Sequence, residues 1–98
     1  MVLHTVNKAA PHQALQLCLR FAREEDIIAL LEDGVCNGVS GSAAWCSLQA
    51  SACKHIVALD HDLRVRGLEG RHSSQLKLID YPALVALCCE CDKVQSWF

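Results

Sequence analysis

Ninety-eight residues and 10.8 kDa suffice for one small domain, and a composition 52% hydrophobic against 20% charged excludes a disordered tail or charged linker. A net charge of −2 and a sequence pI near 6.2 lack the basic footprint of a chain that grips a phosphate backbone, so no direct nucleic-acid contact is expected. A domain this short buries only about 65% of the surface its unfolded chain exposes. Part of its apolar content is therefore expected to face another subunit.

In chain order, Val2–Val6 is short and rich in β-branched residues, and Asn7–Pro11 breaks it before a helix over about His12–Arg23. Ile27–Leu31 is a continuous apolar run ending at the turn pair Asp33-Gly34, the pattern of a strand buried on both faces in a parallel sheet. Ser40-Gly41-Ser42 can cap a helix from roughly Ala43 to Cys53, and His55–Leu59 is a third strand. Asp60 is placed as the N-cap of a helix of barely two turns, acidic early and basic late, that Gly67 ends. Leu76–Ile79 gives a fourth strand, and Asp80-Tyr81-Pro82 opens a last helix running to about Cys89, with proline where no amide donor is missed. Val94–Phe98 reads equally as a fifth strand or as a segment docked by its aromatic rings. Strands alternating with helices predict an α/β fold: a single domain over residues 1–98, built as a three-layer α/β/α sandwich on a mostly parallel sheet of four to five strands.

Seven cysteines are many for this length. The opening MVLHTVNKAAPHQ has no basic stretch followed by an apolar one, so a cytoplasmic chain with reduced thiols is expected. The odd count also fits poorly with a fully paired disulfide scaffold. The longest unbroken apolar run, Ala83–Cys89, is far short of the ~20 residues a bilayer crossing needs, so no membrane span is expected.

Cys88 and Cys91 have C-x-x-C spacing, which raises zinc and redox readings. They sit at a helix end, where the dipole opposes a thiolate, and Cys53 with His55 would point to opposite faces of a strand rather than complete a zinc site. Cys18 lies three residues from Leu15 and four from Ala14 and Ala22, on the core-facing stripe of the first helix, where a packing cysteine is the expectation. Cys36, in the loop Gly34–Gly38, is the one cysteine expected to be exposed at the C-terminal end of a strand, where open parallel sheets place ligand sites. Gly34, Gly38 and Gly41 make no phosphate-binding motif, so no nucleotide or other cofactor is expected. His61 and Asp62 could be set as acid and base, though an aspartate opening a helix ordinarily serves its amides. Arg64, Arg66, Arg71 and His72 form the only local basic cluster and read as a solvated helix end.

Five blocks in order carry a resemblance: Leu3-His4-Thr5-Val6-Asn7-Lys8; Glu32-Asp33-Gly34-Val35; Leu59-x-x-Asp62-Leu63-x-x-Arg66-Gly67-Leu68; Asp80-Tyr81; and Val94-Gln95-Ser96-Trp97. Nearly end to end, the chain resembles the TusB/DsrH family. The resemblance implies an accessory subunit of a bacterial sulfur relay, joined to TusC/DsrF-like and TusD/DsrE-like chains in a heterohexamer that passes persulfide sulfur to a TusE/DsrC-like acceptor. It implies no metal and no cofactor, and it places the principal cysteine on another subunit. It also makes Cys18, in Cys18-Leu19-Arg20-Phe21, the candidate sulfur-handling thiol of this chain. The relay would serve either tRNA wobble-uridine 2-thiolation or dissimilatory sulfur oxidation; the HTVNK opening and Glu90-Cys91-Asp92 lean toward the DsrH type. The alternative is a small cytosolic metal or thiol-redox protein using Cys88 and Cys91.

Overall fold

The computed structural model describes all residues, Met1–Phe98, and its elements follow the apolar pattern closely. Strands β1 (Val2–Val6), β2 (Ile27–Leu30), β3 (His55–Leu59), β4 (Lys77–Ile79) and β5 (Lys93–Trp97) form one sheet of order β4-β3-β2-β1-β5, every pair parallel. The ambiguous C-terminal segment is thus a strand, in register with β1 from Val2↔Lys93 to Val6↔Trp97.

Helices α1 (Gln13–Phe21), α2 (Ala43–Ala50), α3 (Asp60–Val65) and α4 (Tyr81–Glu90) connect the strands. Helix α1 is shorter than its periodicity suggests. The His12 ring accepts from the Ala14 amide at 3.0 Å and so stands outside as the cap, while Ala22 is already extended. Helix α2 stops three residues short of Cys53, because Ser51 Oγ turns back onto the Leu48 carbonyl at 2.6 Å. Its start is as expected, with Ser42 Oγ accepting from the Trp45 amide. Asp60 is not the cap of α3 but its first residue, following Leu59, and it pairs instead with Arg64 at 3.5 Å. Asp80 does cap α4, accepting from the Ala83 amide at 2.9 Å with Pro82 in the first turn. The segment expected as a loop winds into a 3₁₀ helix over Glu32–Gly38.

Strands β1 to β4 step one way across the sheet, so right-handed crossovers put α1, the 3₁₀ helix, α2 and α3 on one face; the return from β4 to β5 puts α4 alone on the other. The core is correspondingly uneven. Thirteen buried residues, among them Leu15, Cys18, Ile28, Trp45, Leu48 and Leu63, fill the first face, and six, with Leu3, Ala29, Val57 and Leu59, lie under α4. The three-layer sandwich is present, with one outer layer a single helix.

Candidate functional site

Two groups of side chains draw the sequence blocks together. The first lies at the N-terminal end of the sheet, centred on Asp26, which is 2% exposed. Its Oδ1 accepts from the Val2 amide at 2.9 Å; its Oδ2 accepts from the Arg23 amide at 3.0 Å and lies 3.0 Å from His4 Nε2. On the other side of the imidazole, Trp97 Nε1 donates to His4 Nδ1 at 3.1 Å. An indole N–H can only donate, so Nδ1 is the bare nitrogen and the ring proton sits on Nε2, facing the carboxylate. Burial pushes the Asp26 carboxyl up, but the hydrogen bonds from His4, Val2 and Arg23 outweigh it and hold the group down at about 2. Trp97 also stacks on Phe21, centroids 5.6 Å apart, so β1, the end of α1, the start of β2 and β5 are tied at one point.

The second group lies at the C-terminal ends of the strands. Gly34 approaches β1 so closely that a Cβ there would stand 2.0 Å from the Val6 carbonyl oxygen, a contact no side chain survives. Buried Asn37 braces the following turn, donating to the Lys8 carbonyl and accepting from the Ala10 amide. Glu32 has φ of +50°, a left-handed conformation costly for a non-glycine residue, and its amide donates to Asp62 Oδ2 at 2.7 Å. Asp33 receives the Arg66 guanidinium at 3.0 Å. The remaining Asp62 oxygen lies 3.3 Å from His61 Nδ1, and the His61 ring tilts against Tyr81 at 5.8 Å. This is where the connections leaving neighbouring strands β3 and β4 go to opposite faces, the crevice position of an open parallel sheet. Asp62 serves the backbone of Glu32 here, and Arg64 and Arg66 of the basic cluster are taken up by Asp60, Glu69 and Asp33.

Cys18 and Cys53 lie beside the Asp26 group without joining its hydrogen bonds to His4 and Trp97, and the exposure of the thiols departs from expectation. Cys36 is half-buried, because the 3₁₀ helix turns Val35 and Asn37 inward beside it; Cys46, Cys88 and Cys89 are the exposed ones. Cys18 is fully buried, and burial foremost, with Cys53 and Asp26 nearby, pushes its thiol up to about 12. Cys53 is buried too, its thiol donating to the Asp26 carbonyl at 3.2 Å, and burial raises it. Cys88 and Cys91 part company at the helix end: Cys88 faces water while Cys91 turns under onto the Leu3 cluster, where burial raises its thiol. No three His, Cys, Asp or Glu side chains gather closely enough to hold a metal ion.

The family model described as DsrH like protein matches residues 9–94. The chain belongs to the TusB/DsrH family. Proteins named TusB align with it over their whole length and 98% of this chain, at 35% identity for Escherichia coli strain SMS-3-5, 34% for Escherichia coli K12 and 33% for Sodalis glossinidius. Among solved structures, the ychN protein of Escherichia coli superposes with a TM-score of 0.70 at 14% identity, covering 98% of this chain and 97% of its own. Protein Tm0979 of Thermotoga maritima follows at 0.69 and 24% identity, covering 92% and 93%. Both likenesses speak to the fold.

For this TusB/DsrH chain, the residue blocks that carried the resemblance turn out to be partners in space. His4 of the first block meets Trp97 of the last, and Glu32 and Asp33 of the second meet Asp62 and Arg66 of the third. Asp26, which holds His4 in the first of these contacts, and Asn37, which braces the Lys8–Ala10 turn, carry no motif in the sequence. Only an aspartate directly before an apolar strand, and an asparagine in a glycine-bounded turn, could have marked them.

Proposed function

We propose that the chain is an accessory subunit of a cytoplasmic sulfur-relay complex serving tRNA wobble-uridine 2-thiolation, in which persulfide sulfur is carried on the cysteines of sister chains. The full-length likeness to proteins named TusB, at 33–35% identity, carries this reading and favours the tRNA arm over sulfur oxidation. TusC/DsrF-like and TusD/DsrE-like chains are the partners in a heterohexamer, and a TusE/DsrC-like protein is the acceptor reached through the complex. The RNA itself is met downstream, in keeping with a net charge of −2. No helix is long and apolar enough to cross a membrane.

Cys18 serves this chain as a packing residue. A sulfur carrier needs an accessible thiolate, and a fully buried thiol pushed up to about 12 supplies neither access nor ionisation. The test is co-expression of the tagged chain with its TusC/DsrF-like and TusD/DsrE-like partners, followed by persulfide mapping and sulfur transfer to the acceptor. A stable mixed complex, persulfide on the partners and unaltered transfer in Cys18→Ala are expected. Failure to bind either partner refutes the subunit reading; persulfide on Cys18 together with lost transfer in the folded variant refutes the packing role.

A further inference from the structure

Strand β5 lies at an edge of the sheet, and its side chains bury almost nothing. Lys93, Val94, Gln95 and Ser96 are all exposed; Trp97 alone is partly covered, packed against the larger core cluster and stacked on Phe21. Beyond the backbone ladder to β1, three contacts hold the strand. The chain's amine meets Asp92 at 2.6 Å just ahead of it, Thr5 Oγ1 donates to Ser96 Oγ at 3.1 Å on the surface, and Trp97 Nε1 donates to His4 Nδ1. Only the last joins the strand to the core, and its acceptor is a histidine, the side chain that ordinarily changes charge between about pH 5 and 8.

The two nitrogens of that ring respond differently to a second proton. Nε2–H faces the Asp26 carboxylate in either charge state, so a buried imidazolium would have its counter-charge in place. Nδ1 can accept from Trp97 only while it is bare; once protonated, it sets one N–H against another across 3.1 Å. The surrounding groups leave the outcome to this pair. Asp26, from the turn before β2, is held down at about 2 and stays ionised. Cys18 of α1 and Cys53 ahead of β3 stand beside Asp26 with thiols that burial pushes up, so they stay neutral. Arg20, Arg23, Glu24, Glu25 and Lys93, on the neighbouring turns and on β5, are exposed to solvent.

We propose that His4 and Trp97 form a proton-operated latch: uptake of a proton at His4 Nδ1 expels the indole and frees the C-terminal end of β5 from the sheet, while Asp92 keeps the start of the strand clamped to Met1. Opening bares the outer edge of β1 and the face of Phe21 that Trp97 covers, so the chain offers other proteins a different sheet edge in each charge state. The latch is closed with His4 neutral, contributes to stability at the alkaline end and is lost as the pH falls. The clamp runs the other way, because the bond to Asp92 raises the amine and keeps it charged on acidification. None of this needs a sister chain, so it stands apart from the relay reading.

Hydrogen exchange of the full chain at pH 8, 6.5 and 5 tests this, read by mass spectrometry on the peptide carrying β5 and corrected for intrinsic pH dependence, with the β2 peptide as reference. Protection of β5 is expected to fall roughly tenfold between pH 8 and 5 while that of β2 holds. The nitrogen-15 resonances of the His4 ring should show the second proton arriving at Nδ1 over the same range. Trp97→Phe keeps an aromatic ring against Phe21 but has no N–H to give; its β5 should be loosened already at pH 8 and indifferent to acidification. Constant protection of β5 in the wild type, a fall of the same size in Trp97→Phe, or a fall without proton uptake at His4 Nδ1 would overturn the proposal. Loss of protection in β2 together with β5 would overturn it too, since that is unfolding of the whole chain. The wild-type measurements decide the matter even where Trp97→Phe does not fold.

Discussion

Replacing Asp26 by Asn probes the point at which both ends of the chain are tied. The carboxylate accepts three hydrogen bonds in a site it shares with no solvent. An asparagine keeps the shape but offers one oxygen; if that oxygen faces His4 and the Arg23 amide, its NH₂ is left against the Val2 amide, donor against donor. The folded carboxyl is lowered from 3.8 to about 2. At 1.36 kcal/mol per pKa unit, its ionised form contributes about 2 kcal/mol. Because the folded value is the depressed one, this contribution is complete above pH ~4 and is lost as the pH falls toward 2. Asp26→Asn should therefore lower Tm by roughly 10 °C at neutral pH for a domain of this size. The gap to wild type should shrink on acidification. Urea titrations followed by tryptophan fluorescence at pH 7, 4 and 2.5 measure both effects. Equal stability of the two proteins at pH 7, or a gap that persists unchanged to pH 2.5, would refute the reasoning.

Three further outcomes are expected. Gly34→Ala should cost several kcal/mol or abolish folding, since the added carbon meets backbone that cannot move away; a Tm within a few degrees of wild type would contradict the close approach. Glu32→Gly should raise stability by up to about 1 kcal/mol by relieving the left-handed φ while keeping the amide bond to Asp62; denaturant midpoints decide the sign. Alkylation of the native protein at pH 8, read by peptide mass spectrometry, should label Cys46, Cys88 and Cys89 quickly and Cys18, Cys53 and Cys91 only on unfolding, and rapid labelling of Cys18 would contradict its burial.

Most element boundaries were legible because they rest on local chemistry. The uninterrupted Ile27–Leu31 run meant burial on both faces, and Ile28, Ala29 and Leu30 are indeed closed to water. Ser42 and Asp80 cap the helices they precede. Asp60 looked like a cap for the same reason and is not one, because its carboxylate pairs with Arg64 one turn on and the left-handed Glu32 takes Asp62 instead. Cys36 looked exposed because glycines on either side suggest an open loop. Gly34 is there for a different purpose, to let the 3₁₀ helix press against Val6.

The sequence alone determined the order and type of β1 to β4 and of the four α-helices, the parallel sheet and the core-facing place of Cys18. Each follows from the spacing of apolar residues and from the right hand of the crossovers, which act over one element or one connection. Only the tertiary structure decided that β5 lies beside β1, 91 residues away, rather than beside β4. From that placement come the His4–Trp97 bond, the solitary α4 layer with its open groove, and the exposure of Cys88 and Cys89. The physical reason is that strand order is set by which distant faces can be buried together and which buried polar groups can be satisfied at once, and periodicity along the chain carries no record of that choice.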